Sequence, residues 1–228
     1  LKILYVEIES NVYYNTAQVA SSDALKTEIV GALSDYSKNV EINKFGGRFK
    51  YSKLNTLIDR VDNGITSNIT KVIVRRDLKA LLDQFAQYEL CFGNRFYINP
   101  AGYNIKSTGF TINGFSQIAY ITDVPNKTIS GTLDGSLKGT LSVVTKNNQG
   151  QQVVLVKDAG VVDYKKGEVI LNTINITSTV SENNIIEVQA FPESNDVVGL
   201  KDLYLSFDVS NSTITVSYTH LTLPTRIR

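Results

Sequence analysis

With 228 residues, 42% hydrophobic and 20% charged side chains and a formal net charge of +1, the chain has the make-up of an ordinary folded protein of one or two domains and excludes a disordered or fibrous one. No apolar run approaches the roughly 20 residues of a helical membrane span. The single cysteine, Cys91, excludes an internal disulfide framework and a cysteine-rich zinc site.

The opening residues, LKILYVEIESNVYYN, have no initiator methionine and already read as a strand, so the chain is expected to begin mid-protein. Leu4, Val6 and Ile8 alternate with more polar residues, as in a half-buried strand. Ser22 is placed to cap a helix whose Leu25, Ile29, Ala32, Leu33 and Tyr36 form one apolar stripe. A short strand through Val40 and Ile42 leads to FGGRFKYS. There, Ser52 is placed to cap a second helix on which Leu54, Leu57, Ile58 and Val61 keep helical spacing, and Asp62-Asn63-Gly64 supplies the stop. Strands are expected over Ile69–Arg76 and Phe85–Phe92, with a helical turn within Leu78–Asp83.

From Tyr103 the helix pattern disappears. GFTI, QIAYI, LSVV, QQVVLV, GEVIL, NIIEVQAF and DLYLSFDV are short strand-like runs separated by Gly, Asn, Asp and Lys. Lys165-Lys166-Gly167 reads as a tight hairpin turn, with Gly167 free to take a positive φ. The fold class expected from this pattern is α+β: a small α+β sandwich over residues 1–102, followed by a β-rich domain over 103–214.

The C-terminal VSYTHLTLPT, Val216 to Thr225, matches residue for residue a reading frame through a transposase-type sequencing adapter. Thr215 fits the same frame, and Arg226 to Arg228 would then be index sequence. The natural sequence is therefore expected to stop near Ile214, with 215–228 set aside; the alternative is a genuine terminal strand followed by a proline turn. Without the tail the chain loses His220, its single histidine, and two arginines, leaving 21 basic against 22 acidic residues and a charge of −1.

Nothing in the chain carries recognisable site chemistry. There is no nucleophile motif, Walker loop, dinucleotide fingerprint, EF-hand loop or His-Glu-x-x-His helix. Setting the tail aside removes the commonest general base and metal ligand. Glu7, Glu9, Asp163, Glu168 and Asp196 could in principle form a carboxylate pair, but no spacing singles one out. The chain is expected not to be an enzyme and to need no cofactor or metal. Asn68, Asn126, Asn175 and Asn211 begin N-x-S/T triplets, which follow from an Asn- and Thr-rich composition.

The stretch Lys44–Lys79 stands out because it holds nine Lys or Arg against three Asp. Such an excess attracts phosphates or an acidic protein surface. Gly46-Gly47 precede the expected Ser52 cap by five residues, too far for the converging N–H groups of a phosphate cradle. Two readings remain for Phe45, Arg48, Phe49, Lys50 and Tyr51. One is a tight turn clamped by its aromatic residues; the other is a partner-contact loop with Arg48 as an anchor.

FGGRFKYSKLNTLIDRVDNGITSNITKVIVRR (Phe45–Arg76) and DQFAQYELCFGN (Asp83–Asn94) resemble the baseplate wedge protein, gene product six type, of myovirus-type contractile-tailed bacteriophages. GYNIKSTGF, VVDYKKGEVIL and EVQAFPESNDVVGLKDLYLSFDVSNSTI are similar to the C-terminal half of that family. A more distant similarity extends to the baseplate-J group. The resemblance implies a structural subunit that pairs with itself and with other wedge proteins in a ring around the tail hub, and that takes part in the rearrangement triggering sheath contraction. It implies a place in the virion tail baseplate, assembly in the host cytoplasm, and no membrane or small-molecule ligand. Two other readings rest on the residues alone: a nucleic-acid-contacting domain using the 44–79 segment, and a β-rich adhesin or carbohydrate-binding module.

Overall fold

The computed structural model describes residues 1–219. In chain order these form β1 (Ile3–Tyr14), α1 (Ser22–Ser37), β2 (Arg48–Phe49), α2 (Tyr51–Asp59), β3 (Ile65–Lys79) and β4 (Phe85–Cys91). There follow β5 (Lys106–Ser107), β6 (Phe110–Ile112), β7 (Ala119–Pro125), β8 (Lys138–Lys146), β9 (Gln152–Asp163) and β10 (Glu168–Thr179). The chain closes with a 3-10 turn (Glu182–Asn184), β11 (Ile185–Ala190), β12 (Val197–Val198), β13 (Tyr204–Phe207) and β14 (Thr213–Tyr218).

Strand pairing joins the two ends of the chain. β1 runs antiparallel to β3 along one edge, while its other edge is shared end to end by β13 and β14, both parallel to it. β3 in turn pairs with β11, so the two N-terminal strands lie side by side between C-terminal ones. From β11 the pairing continues through β5 into β7. There β6 to β10 close on themselves, because β7 pairs with both β6 and β8, and β4 lies along β10.

The amphipathic pattern explains the layers. Leu4, Val6, Ile8 and Val12 of β1 and Val72, Val74 and Leu78 of β3 are buried on one face. α2 packs on β3, and α1 packs on α2 and β14. The helices contribute Leu25, Ile29, Leu33, Leu54 and Ile58 to one contiguous core.

The expected α+β sandwich is overturned. Among the described residues the fold is 47% strand and 13% helical, with two α-helices and a β-barrel core. The helix stripes are real, but the strands they cover belong to a larger sheet completed by distant residues, and β4 joins the barrel instead of lying beside β3. Smaller expectations also shift. The segment around Val40 and Ile42 is a turn and not a strand, and β3 continues to Lys79 where a helical turn was expected within 78–83. Ser21 caps α1, its Oγ accepting from the Ala24 N–H at 3.3 Å. α2 begins at Tyr51, ahead of Ser52; the Tyr51 N–H donates to Asp196 Oδ1 at 2.8 Å, so the first turn is satisfied by a carboxylate from far along the chain. The Lys165–Gly167 turn joins β9 to β10 as the sequence indicates, with Gly167 at φ +68°. Residues 215–218 of the expected adapter translation form part of β14, whereas 220–228 lie outside the described residues.

On the face of the sheet away from the helices, Arg75 is only 4% exposed and ties four segments together. Its Nε donates to Glu7 Oε1 of β1 at 2.5 Å, and its Nη1 to Asp77 of β3 at 2.8 Å and Glu187 of β11 at 2.9 Å. Nη2 reaches Asp208, just after β13, at 2.8 Å, and the guanidinium lies 4.1 Å from the Tyr5 ring centroid. Glu7 uses its second oxygen to accept from Gln189 at 2.7 Å. Every arm of the guanidinium is therefore occupied, as a buried charge requires. Arg75→Ala leaves the buried Glu7 carboxylate without its cation and is expected to cost about 3–5 kcal/mol in urea unfolding. Adding Glu7→Gln to that variant should recover part of the loss; an Arg75→Ala cost below about 1 kcal/mol would contradict this role.

Candidate docking cleft at the glycine turn

The turn opened by Phe45 is held from several sides. Phe45 forms an isolated bridge with Tyr204, their rings meeting edge to face at 5.5 Å between centroids. The Tyr204 hydroxyl donates to the Asn43 carbonyl at 2.8 Å. The Gly46 N–H donates to the Leu200 carbonyl, the Gly47 N–H to that of Lys44, and the Gly199 N–H to the Gly47 carbonyl. β2 then pairs with β12, Arg48 opposite Val198 and Phe49 opposite Val197. Both glycine N–H groups are thus used inside the protein, and no phosphate cradle is formed.

The two glycines are needed for different reasons. Gly46 sits at φ +63°, a region costly to other residues. Gly47 has an ordinary φ, but a Cβ there would lie 2.1 Å from the Ile42 carbonyl oxygen.

The five residues singled out from sequence divide into two groups. Phe49 is buried and packs on Phe207, ring centroids 5.4 Å apart. Tyr51 is partly buried, and its hydroxyl donates to the Thr70 carbonyl at 2.8 Å. Phe45 is half exposed, and Arg48 and Lys50 are exposed. Beside them lies a cleft of about 290 Å³ lined by Tyr36, Glu41, Lys44, Arg48, Lys50 and Lys53 among others. Lys44 is paired with Glu41 at 3.1 Å, while Arg48, Lys50 and Lys53 have no ion-pair partner among the described residues. What the cleft offers is positive charge on a fixed frame, with one aromatic ring at its edge.

The rest of the basic 44–79 segment is dispersed. Arg75 is consumed by its carboxylates. Arg76 is buried on the opposite face, its Nη1 donating to the Cys91 carbonyl at 2.5 Å, and burial pulls its pKa down. Lys71 lines a separate groove. Around Arg75, burial pushes the carboxyls of Glu7 and Asp77 above their usual range despite the guanidinium. Burial also opposes the charge on Asp208, but hydrogen bonds from Ser210 and Asn211, together with Arg75, hold its pKa below the usual value. The Arg75 cluster had no readable signal, because Glu187 and Asp208 lie 112 and 133 residues from it in the chain.

Residues 2–77 match the family model described as baseplate structural protein gp6, C-terminal domain III. By this match the segment is similar to a domain of a baseplate structural protein. It runs from β1 through α1, β2 and α2 into β3, and contains the whole glycine turn and the four cations of the cleft. Arg75 and Glu7 fall inside the gp6 match; Glu187 and Asp208 fall outside it. The matched family is a structural one. No curated protein matches the chain.

Gly47→Ala is expected to destabilise the fold by about 1–3 kcal/mol, since the Ile42 carbonyl must give way to the new Cβ. Thermal or urea unfolding measures it, and an unchanged midpoint would show that the approach to Ile42 is not required.

Proposed function

We propose that the chain is a structural subunit of the tail baseplate wedge and has no catalytic role. It docks onto other wedge proteins and onto copies of itself in the ring around the tail hub. Its place is the virion tail, after assembly in the host cytoplasm. The observation that carries this reading is the gp6 match over residues 2–77 together with Arg48, Lys50 and Lys53 of the cleft, which have no ion-pair partner among the described residues. Phe45, Arg48 and Lys50 make the partner contact; Phe49 and Tyr51 hold the turn in place from beneath. An acidic surface is the complement such a cleft selects, because like-charged surfaces are repelled and opposite ones are steered into register. In the rearrangement that triggers contraction, contacts of this kind act by binding one arrangement of the baseplate more tightly than the other.

Arg48→Glu combined with Lys50→Glu reverses the charge of exposed side chains only. The variant should keep the circular dichroism and unfolding midpoint of the parent chain, while co-purification with co-expressed baseplate proteins falls about tenfold or more. Undiminished assembly by the folded variant would overturn the docking role.

A further inference from the structure

We infer that a second groove, on the opposite side of Arg75's sheet from the helices and running towards the barrel, binds an extended acidic segment of a partner protein. Two clefts of about 480 and 510 Å³ adjoin at Tyr103 and Lys106, which line both. Lys71 and Lys106 line the first and Lys106 and Lys146 the second, and no carboxylate lines either. None of these lysines has an ion-pair partner among the described residues. The Lys106 ammonium lies over the Phe191 ring, 5.7 Å from its centroid, and both line the first cleft.

Tyr97 and Tyr103 are both about half exposed, at 52% and 50%. Tyr103 also holds φ +68°, a region that costs a non-glycine residue of order 1–3 kcal/mol and survives only where its surroundings dictate it. Here they do. The Tyr103 N–H donates to the Asp123 carbonyl at 3.0 Å, the Ile105 N–H to Asp123 Oδ1 at 2.7 Å, and the buried Asp123 accepts from the Tyr164 hydroxyl at 2.6 Å. The floor is equally fixed: Asn104 donates to the carbonyls of Tyr97 and Phe191 and accepts from the Phe191 N–H. Glycine would take the Tyr103 backbone conformation without strain, so what the tyrosine adds is an exposed ring and hydroxyl. Half-exposed tyrosines on a rigid frame suit a protein interface, and lysines that form no ion pair, Lys71 even with Glu9 opposite it on β1, select an acidic one. The choice of a protein over another polyanion rests on the baseplate-assembly reading.

The test uses a fluorescein-labelled dodecapeptide of alternating Glu and Leu, followed by anisotropy with the whole chain. Binding is expected, weakening as salt rises from about 50 to about 300 mM. Lys71→Glu with Lys106→Glu should weaken it about tenfold or more. Tyr103→Gly should weaken it several-fold while leaving the melting temperature unchanged or higher, an outcome that a purely structural tyrosine would not give. The Arg48→Glu chain should bind the peptide normally, so failure here and failure of the docking cleft are separable. Absence of binding, equal binding by the lysine variant, or tighter binding of a thymidine dodecamer or a polyuronate of matched charge would each overturn the assignment.

Discussion

The Arg75 guanidinium bonds the N-terminal strands of the sheet to its C-terminal ones. A buried cation has to be met by anions in the right places, and here they come from β1, β3, β11 and the turn after β13. Four carboxylates face one guanidinium, so the cluster is neutralised only in part, and burial of Glu7 and Asp77 raises their pKa values accordingly. Such an arrangement contributes little to net stability compared with an apolar core, but removing a single member is costly. Its chief effect is to fix register: a one-residue slip of β3 against β1 or β11 would move Arg75 to the helix-covered face and its partners away from it.

This register determines what the surface presents. With β1, β3 and β13 locked, Tyr204 is in place to support Phe45 and to hold the Asn43 carbonyl, and Phe207 is in place to receive Phe49. The glycine turn is therefore as rigid as the sheet beneath it. Side chains that reach outward from a fixed turn lose less freedom on binding than those of a mobile loop, which is how a small number of cations can serve an interface. The acidic cluster and the basic cleft are thus linked through packing, although no ion pair joins them.

The sequence made local structure legible and left long-range structure hidden. The α1 and α2 stripes, the strand runs from GFTI to DLYLSFDV and the Lys165–Gly167 turn could all be read, because each depends on residues close together in the chain. The pairing of β1 with β13 and β14, and of β4 with β10, could not, because a strand's periodicity states which face is buried and not which strand lies beside it. The fold class was misjudged for that reason. Of the five candidate contact residues that flank or follow the glycine pair, Phe45, Arg48 and Lys50 are exposed and Phe49 and Tyr51 are turned inward, a division the sequence did not reveal. The excess of charge over 44–79 misled in part: two of its arginines, Arg75 and Arg76, face inward on opposite sides of one strand, as adjacent residues in β structure must.

With Arg75 bonded to both, the N-terminal segment and the C-terminal strands open and close as one unit. Native-state hydrogen exchange tests it most directly, by comparing the opening free energies of amides in β1, β3, β11 and β13. A common value is expected for all four strands, lowered together by Arg75→Ala. Exchange of β11 and β13 at a much lower free energy than β1 and β3, with β1 and β3 unaffected by the substitution, would contradict it.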